Sequence, residues 1–260
     1  MELVTKSGEI LKFNIFLYIL SHSRYKYIEL TTNRKQITLF KCLINAFKYC
    51  GTKIPNEIWF DNMKTVVTSH DINQWEVIFN SDFKEFAKQI GFNPIACKPY
   101  RPQTKGKVEN LAKLMDRLKV YNNEVETIDE VKDLVEELNK ELNEEICQVT
   151  NIKPIDLFEK EKEYLIPITN NSILDEYESL ITRSVLNDST IVYNKRKYSV
   201  PINFIGKEVV ITIDKNGKDE FLSIYYNKKF INCHKIIDFD FAFVGKLLTK
   251  ITHSYFLHIL

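Results

Sequence analysis

No stretch of this sequence reaches the roughly 18 uninterrupted apolar residues of a membrane-spanning helix. The nearest candidate, 10–20 (ILKFNIFLYIL), is shorter and carries Lys12 and Asn14. The N-terminus also lacks a secretory-signal layout, because Glu2 and Glu9 flank no long apolar run. A cytoplasmic protein is therefore expected. The five cysteines (Cys42, Cys50, Cys97, Cys147 and Cys233) are scattered and form no C-x-x-C pair. Neither a disulfide framework nor a zinc ribbon follows from that spacing, and the thiols are expected to be free and buried. Net charge is nearly absent as well: 36 basic and 35 acidic side chains leave +1. Taken alone, that value gives no hint of a nucleic-acid partner.

The mean conceals a segregation. Residues 84–119 hold nine basic and three acidic side chains, whereas residues 121–163 hold fourteen acidic and five basic ones. A basic stretch of that kind can supply phosphate contacts. With 44% hydrophobic and 27% charged residues, the 260-residue chain has an ordinary globular balance and a length that suits two smaller cores.

The run 10–20 is apolar on both alternating faces, as in a strand covered on both sides. Residues 2–5 read as the stub of a strand before it, and 24–31 as a third strand. Asn33 with Gln36 resembles a capping box, after which Ile37, Phe40, Ile44 and Phe47 recur at helical spacing until Gly51. EIWF at 57–60 is a short strand running into Asp61, and 62–79 reads as a loop. A helix over 81–90 stops at Gly91, a strand follows at 93–97, and helices are expected over 104–120 and 128–146. This order predicts an α/β protein, with a ribonuclease-H-like mixed five-stranded sheet and flanking helices. Residues 151–180 look like a connecting region. From 182 to 237 the texture becomes short strands with an Asn216-Gly217 hairpin signal, which predicts a small β-barrel-like C-terminal domain. Its Tyr193, Lys195, Arg196, Lys197 and Tyr198 are candidate DNA contacts. The expected domains are a core over 1–125 with its first strand incomplete, a helical extension and linker over 126–180, and the β-barrel over 181–237. Residues 238–260 form an unassigned apolar tail.

Asp61 ends a strand, where open α/β sheets place ligands, and Glu109 lies one turn inside a helix. Two such carboxylates can share a divalent cation, and their hard oxygens suit magnesium. Arg101, Lys105, Lys107 and Lys113 would draw a DNA phosphate to the same place. Lys105, Glu109 and Lys113 stand four apart and share a helix face.

EIWFDNMKTVV at Glu57 to Val67, KPYRPQTKGKVENLAK at Lys98 to Lys113 and VYNKRKYSVP at Val192 to Pro201 resemble the DDE transposases. The resemblance is greatest to IstA-type insertion-sequence enzymes with their retroviral-integrase-like core. It implies a DNA transposase performing metal-dependent phosphodiester hydrolysis and strand transfer. By this resemblance Asp61 and Glu109 are catalytic and metal-binding. Asn62, Lys64, Arg101, Gln103, Lys105, Lys107 and Lys113 are DNA-binding. In the family, three carboxylates hold two Mg2+ (or Mn2+) ions about 4 Å apart, which clamp the attacking and leaving oxygens. The family's first aspartate and its aromatic neighbour are not found in this sequence, nor is the helix-turn-helix region that precedes the core. The expectation is an N-terminally truncated chain, inactive alone. The implied partners are double-stranded DNA (insertion-sequence ends and target), an AAA+ helper ATPase and further copies of the chain in a homo-oligomer on DNA. The competing reading is a non-catalytic DNA-binding or interaction module that retains the fold. A ribonuclease-H-like hydrolase acting on an RNA–DNA hybrid is disfavoured by the tail domain and the PYRPQTKGK loop.

Overall fold

A computed structural model describes residues 1–61, 63–71, 76–97, 106–217, 219–227 and 229–236. The chain divides into two units, Met1–Glu178 and Ser179–Leu260.

In the first unit, β1 (Glu2–Val4) pairs antiparallel with β2 (Ile10–Lys12), and the ladder extends to Phe13, which exchanges hydrogen bonds with Met1 of 3.1 and 2.8 Å. The apolar run then continues as β3 (Asn14–Ile19), paired with β4 (Lys26–Thr31). Its alternation decides its packing. Phe16 and Tyr18 join the core made with α1 (Gln36–Tyr49), while Ile15, Leu17 and Ile19 face the core made by the helices after residue 106. The hairpin is thus covered on both faces, as its sequence requires.

Helix α1 buries Phe40, Leu43, Ile44 and Phe47. Its cap is Lys35 rather than Asn33: the Asn33 carboxamide accepts from Lys35 N at 3.0 Å and Thr38 Oγ1 at 2.7 Å, two residues too early to cap the helix itself. After β5 (Lys53–Ile54) comes β6 (Glu57–Phe60). The expected loop over 62–79 contains a hairpin instead, β7 (Val67–Asp71) with β8 (Glu76–Phe79). Helix α2 (Ser81–Ile90) matches its sequence signals at both ends. Asn80 caps it through Asp82 N, and Gly91 takes the left-handed φ of 101° that only glycine adopts at no steric cost. Strand β9 (Asn93–Ala96) lies parallel to β6. The ladders β3–β4 and β6–β9 are hydrogen-bonded separately rather than within one continuous five-stranded sheet among the described residues, and they meet through the shared aromatic core.

Helix α3 (Gly106–Leu114) tightens into a 3₁₀ segment over Met115–Tyr121, and α4 (Ile128–Glu144) follows, capped by Thr127. Leu111, Met115 and Leu118 pack with Val135, Leu138 and Leu142 of α4 against Ile28 of β4. The outer edge of β4 is closed by side chains rather than by another strand. Asn143 accepts from Lys26 N at 2.9 Å and donates to Lys26 O at 2.8 Å, while Asn139 accepts from Ile28 N at 3.0 Å. Both asparagines are buried, so the backbone groups they answer would otherwise lie unpaired away from water.

The stretch read as a connecting region carries α5 (Pro154–Glu161), β10 (Ile166–Pro167) and α6 (Asn171–Ser179). It joins the main core. Phe158 stacks on Tyr25 with ring centroids 4.1 Å apart, and Ile168, Ile173 and Leu174 are buried in the same cluster. Strand β10 pairs with β5.

The second unit is an antiparallel sheet in the order β11 (Ile181–Ser184), β14 (Glu208–Asn216), β15 (Asp219–Tyr226), β16 (Lys229–Ile236), with the hairpin β12 (Thr190–Tyr193)–β13 (Arg196–Ser199). Val185, Ile191, Tyr198, Val200, Val209, Ile211, Leu222 and Ile224 form its core. The Asn216-Gly217 hairpin is present, with Gly217 at a φ of 64°. The hydrogen-bonded strands form an open sheet and a hairpin, linked where Asn232 Nδ2 donates to Ser199 O at 3.2 Å. The apolar tail 238–260 lies outside the described residues.

Candidate functional site

Strand β6 forms because Ile58 and Phe60 alternate inward while Glu57 and Trp59 point out, with Trp59 51% exposed. Its parallel ladder with β9 pairs Phe60 with Ala96 and ends where Cys97 N donates to Phe60 O at 2.8 Å. Asp61 is the next residue and is exposed. A tight turn follows: Met63 N donates to Asp61 O at 2.7 Å, and Val66 N and Val67 N both donate to Met63 O at 2.9 Å. Lys64 sits on that turn, exposed. Asn62 lies outside the described residues, as do Arg101, Gln103 and Lys105.

Glu109 lies in the first turn of α3, the helix next after β9. The buried Leu111 fixes the helix's rotation, which turns Glu109 and Lys113, four apart, toward water. A carboxylate in a helix's first turn is also favoured by the helix dipole. Asp61 therefore follows one strand of the parallel ladder directly, and Glu109 opens the helix that follows the other. Among the described residues, no three His, Cys, Asp or Glu side chains gather as a metal-holding group. A cleft of about 280 Å³ lies elsewhere, lined by Tyr27, Glu29, Asn45, Tyr49, Lys132 and Asn139, and includes neither acid.

Lys107 is placed differently from its neighbours on α3. Its ammonium donates to Ser21 Oγ at 2.9 Å, so it is tied to the turn joining β3 and β4. Partial burial first, and then the Arg24 guanidinium, pull its pKa below the ordinary lysine value, while Glu161 acts in the opposite direction. Sequence reasoning missed Ser21 and Arg24. Their only signal was Ser-x-Ser-Arg between two strands, and nothing in that spacing points to a helix more than eighty residues away. In the second unit, Tyr198 belongs to the core and Lys197 is paired with Asp188 at 2.6 Å.

No family model matches the chain. It is similar to the transposase for insertion sequence element IS232 of Bacillus thuringiensis subsp. berliner, 34% identical over 235 residues, which cover 89% of this chain and 53% of that protein. The transposase for insertion sequence element IS21 of Pseudomonas aeruginosa is 29% identical over 238 residues, which cover 90% of this chain and 58% of that protein. The chain thus spans a little over half the length of the curated relatives it matches. Among solved structures, the catalytic core domain of BIV integrase overlaps 63% of this chain and 93% of its own, at 16% identity and a TM-score of 0.44. Among the described residues, no helix is long and apolar enough to cross a membrane.

Proposed function

We propose, from the premise that its homologues are insertion-sequence transposases, that this chain supplies metal- and DNA-binding groups for the phosphodiester chemistry of DNA transposition. The observation that carries the reading is the ending of the β6–β9 ladder, with Asp61 directly after β6 and Glu109 one turn into the helix after β9. Both acids are exposed, as metal ligands reached by a large substrate need to be.

The donor set fits magnesium or manganese in kind, since both groups are hard carboxylate oxygens. Asp61 and Glu109 would hold the ion, which when bound would activate the attacking oxygen and neutralise charge at the phosphorus. The protein's own contribution is positioning. Lys64 and Lys113, with Asn62, Arg101, Gln103, Lys105 and Lys107, would hold the DNA backbone against the two acids. Two carboxylates leave a two-ion site one ligand short, so the 260 residues by themselves are proposed to bind metal and DNA without cleaving it. A ribonuclease-H-like core, a cytoplasmic location, an AAA+ helper ATPase and assembly of several copies on DNA complete the reading.

The competing reading is a DNA-binding or interaction module that retains the fold without catalysis. Titration with Mn2+, followed by calorimetry, separates the two. Saturable binding lost in Asp61→Asn and in Glu109→Gln supports the enzyme reading. No metal binding, with duplex affinity indifferent to both substitutions, supports the binding module.

A further inference from the structure

The turn joining β3 to β4 is held from three directions. Leu20 N donates to Tyr25 O at 2.9 Å and closes it. From α5, the two carboxylate oxygens of Glu161 accept His22 N at 3.2 Å and Ser23 N at 2.8 Å. From α3, Lys107 Nζ donates to Ser21 Oγ at 2.9 Å. Two helices thus fix a turn whose Ser21 and His22 are exposed.

The charges at this turn do not balance. Arg24 and Lys107 are both cationic, and Glu161 is the acid that comes near them. Its oxygens are already engaged by backbone N–H groups, and among the described residues neither cation forms a salt bridge with it. Two like charges held together repel, and the arrangement costs stability unless an anion joins it.

Arg24 carries a second sign of an unfilled role. Its Nε is buried with no hydrogen-bond partner among the described residues, so a phosphate would be met by the terminal N–H groups of the guanidinium fork, whose geometry matches it. Its backbone sits at a φ of 62°, the left-handed region that a long side chain adopts only when the surroundings enforce it. A guanidinium, a second cation and a hydroxyl on one fixed turn are the parts of an anion site.

We propose that Arg24, Lys107 and the Ser21 hydroxyl form a notch on the β3–β4 turn that takes one backbone phosphate of duplex DNA. The proposal rests on the function argued above and deepens it: it adds a strand hairpin to the DNA contacts, with Ser21 and Arg24 outside the motifs that carry the resemblance. Lys107 then serves as a bridge, fixing Ser21 while sharing the phosphate with Arg24.

The test uses the whole chain and a fluorescent mixed-sequence duplex, with binding followed by anisotropy over a salt series. Arg24→Gln removes the charge, and Arg24→Gly removes it while accepting the left-handed backbone. Both are expected to weaken binding about tenfold at low salt. Both should also flatten the log–log salt dependence by about one unit, as loss of one phosphate contact does. Thermal melts of both variants should stay at or above that of the unaltered chain, since both relieve the repulsion and Arg24→Gly also relieves the strain. An unchanged salt slope, or variants that melt early without losing affinity, overturns the notch while leaving the transposase reading intact. A chain that binds no duplex at all overturns both. Stabilisation by inorganic phosphate in a chain without duplex affinity overturns DNA as the ligand.

Discussion

The outer edge of β4 and the end of β6 treat their polar groups in opposite ways. Along β4, two asparagines from α4, exposed by only 4% and 2%, answer Lys26 N, Lys26 O and Ile28 N, and the Lys26 ammonium donates to Leu142 O at 2.8 Å. At β6 the chain leaves its ladder and presents Asp61 to solvent, with Glu109 likewise exposed on α3. Polar groups that hold the fold are buried and matched atom for atom, because an unmatched one there costs the full desolvation penalty. Polar groups proposed to act on a ligand are held by apolar anchors behind them, Phe60 for one and Leu111 for the other, and both acidic residues are exposed.

The contrast is easiest to break at Asn143. Asn143→Ala strips partners from both Lys26 N and Lys26 O and should cost about 3 kcal/mol in urea unfolding, with Asn139→Ala costing roughly half of that. A loss below about 0.5 kcal/mol for Asn143→Ala would mean that water replaces the carboxamide and that the edge is not sealed.

Alkaline pH should give a smaller but graded effect. Burial, helped by the charge of Glu161, pushes the Cys50 thiol from the ordinary 9.0 up to about 12, and burial with Glu29 beside it raises Cys42 in the same sense. The unfolded thiol ionises near 9.0 while the folded one stays protonated. This contribution is therefore complete below that pH and is lost as pH rises toward about 12. Lys26, whose ammonium burial pulls below 10.5, works the other way. Chemical unfolding at a series of alkaline pH values should show declining stability, and a combined Cys42→Ala and Cys50→Ala variant should show a shallower decline. An equally steep decline in that variant would assign the effect to the buried tyrosines.

Exposed contacts should matter least. The Arg117–Glu145 bridge at 2.6 Å joins two side chains that are 43% and 48% exposed, so Glu145→Gln should cost no more than about 1 kcal/mol and less at high salt. Arg117 holds the Glu145 carboxyl below the ordinary 4.5, so what the bridge adds is present above that pH and fades as pH falls. Smallest of all is Glu109→Gln, expected within about 0.5 kcal/mol of the unaltered chain by the same unfolding assay. A large loss there would make Glu109 a structural residue and dissolve the contrast with Asn143.

Much of this was legible from residue order. The strand EIWF, helix α2 between Asn80 and Gly91, the two-sided run 10–20 and the Asn216-Gly217 hairpin each carry a local signal, because period, cap and turn chemistry act within a few residues. The β7–β8 hairpin escaped notice because its strands are short and polar at Ser69, His70 and Asp71. The core role of 154–174 escaped because Phe158, Ile168 and Leu174 show no helical or strand period over so short a span. For the candidate site, the two acids and Lys113 could be named from motif and spacing, whereas the destination of Lys107 could not.

The sequence by itself determined the strands and helices that carry a clear period, their apolar faces and which acids end up on their tips, since those follow from alternation and local chemistry. Only the tertiary structure decided that Asn139 and Asn143 would finish a sheet edge and that Lys107 would reach Ser21 rather than stand free beside Glu109. Those choices pair groups more than eighty residues apart in the chain, and what selects a partner at that range is which polar groups the packed core leaves unanswered.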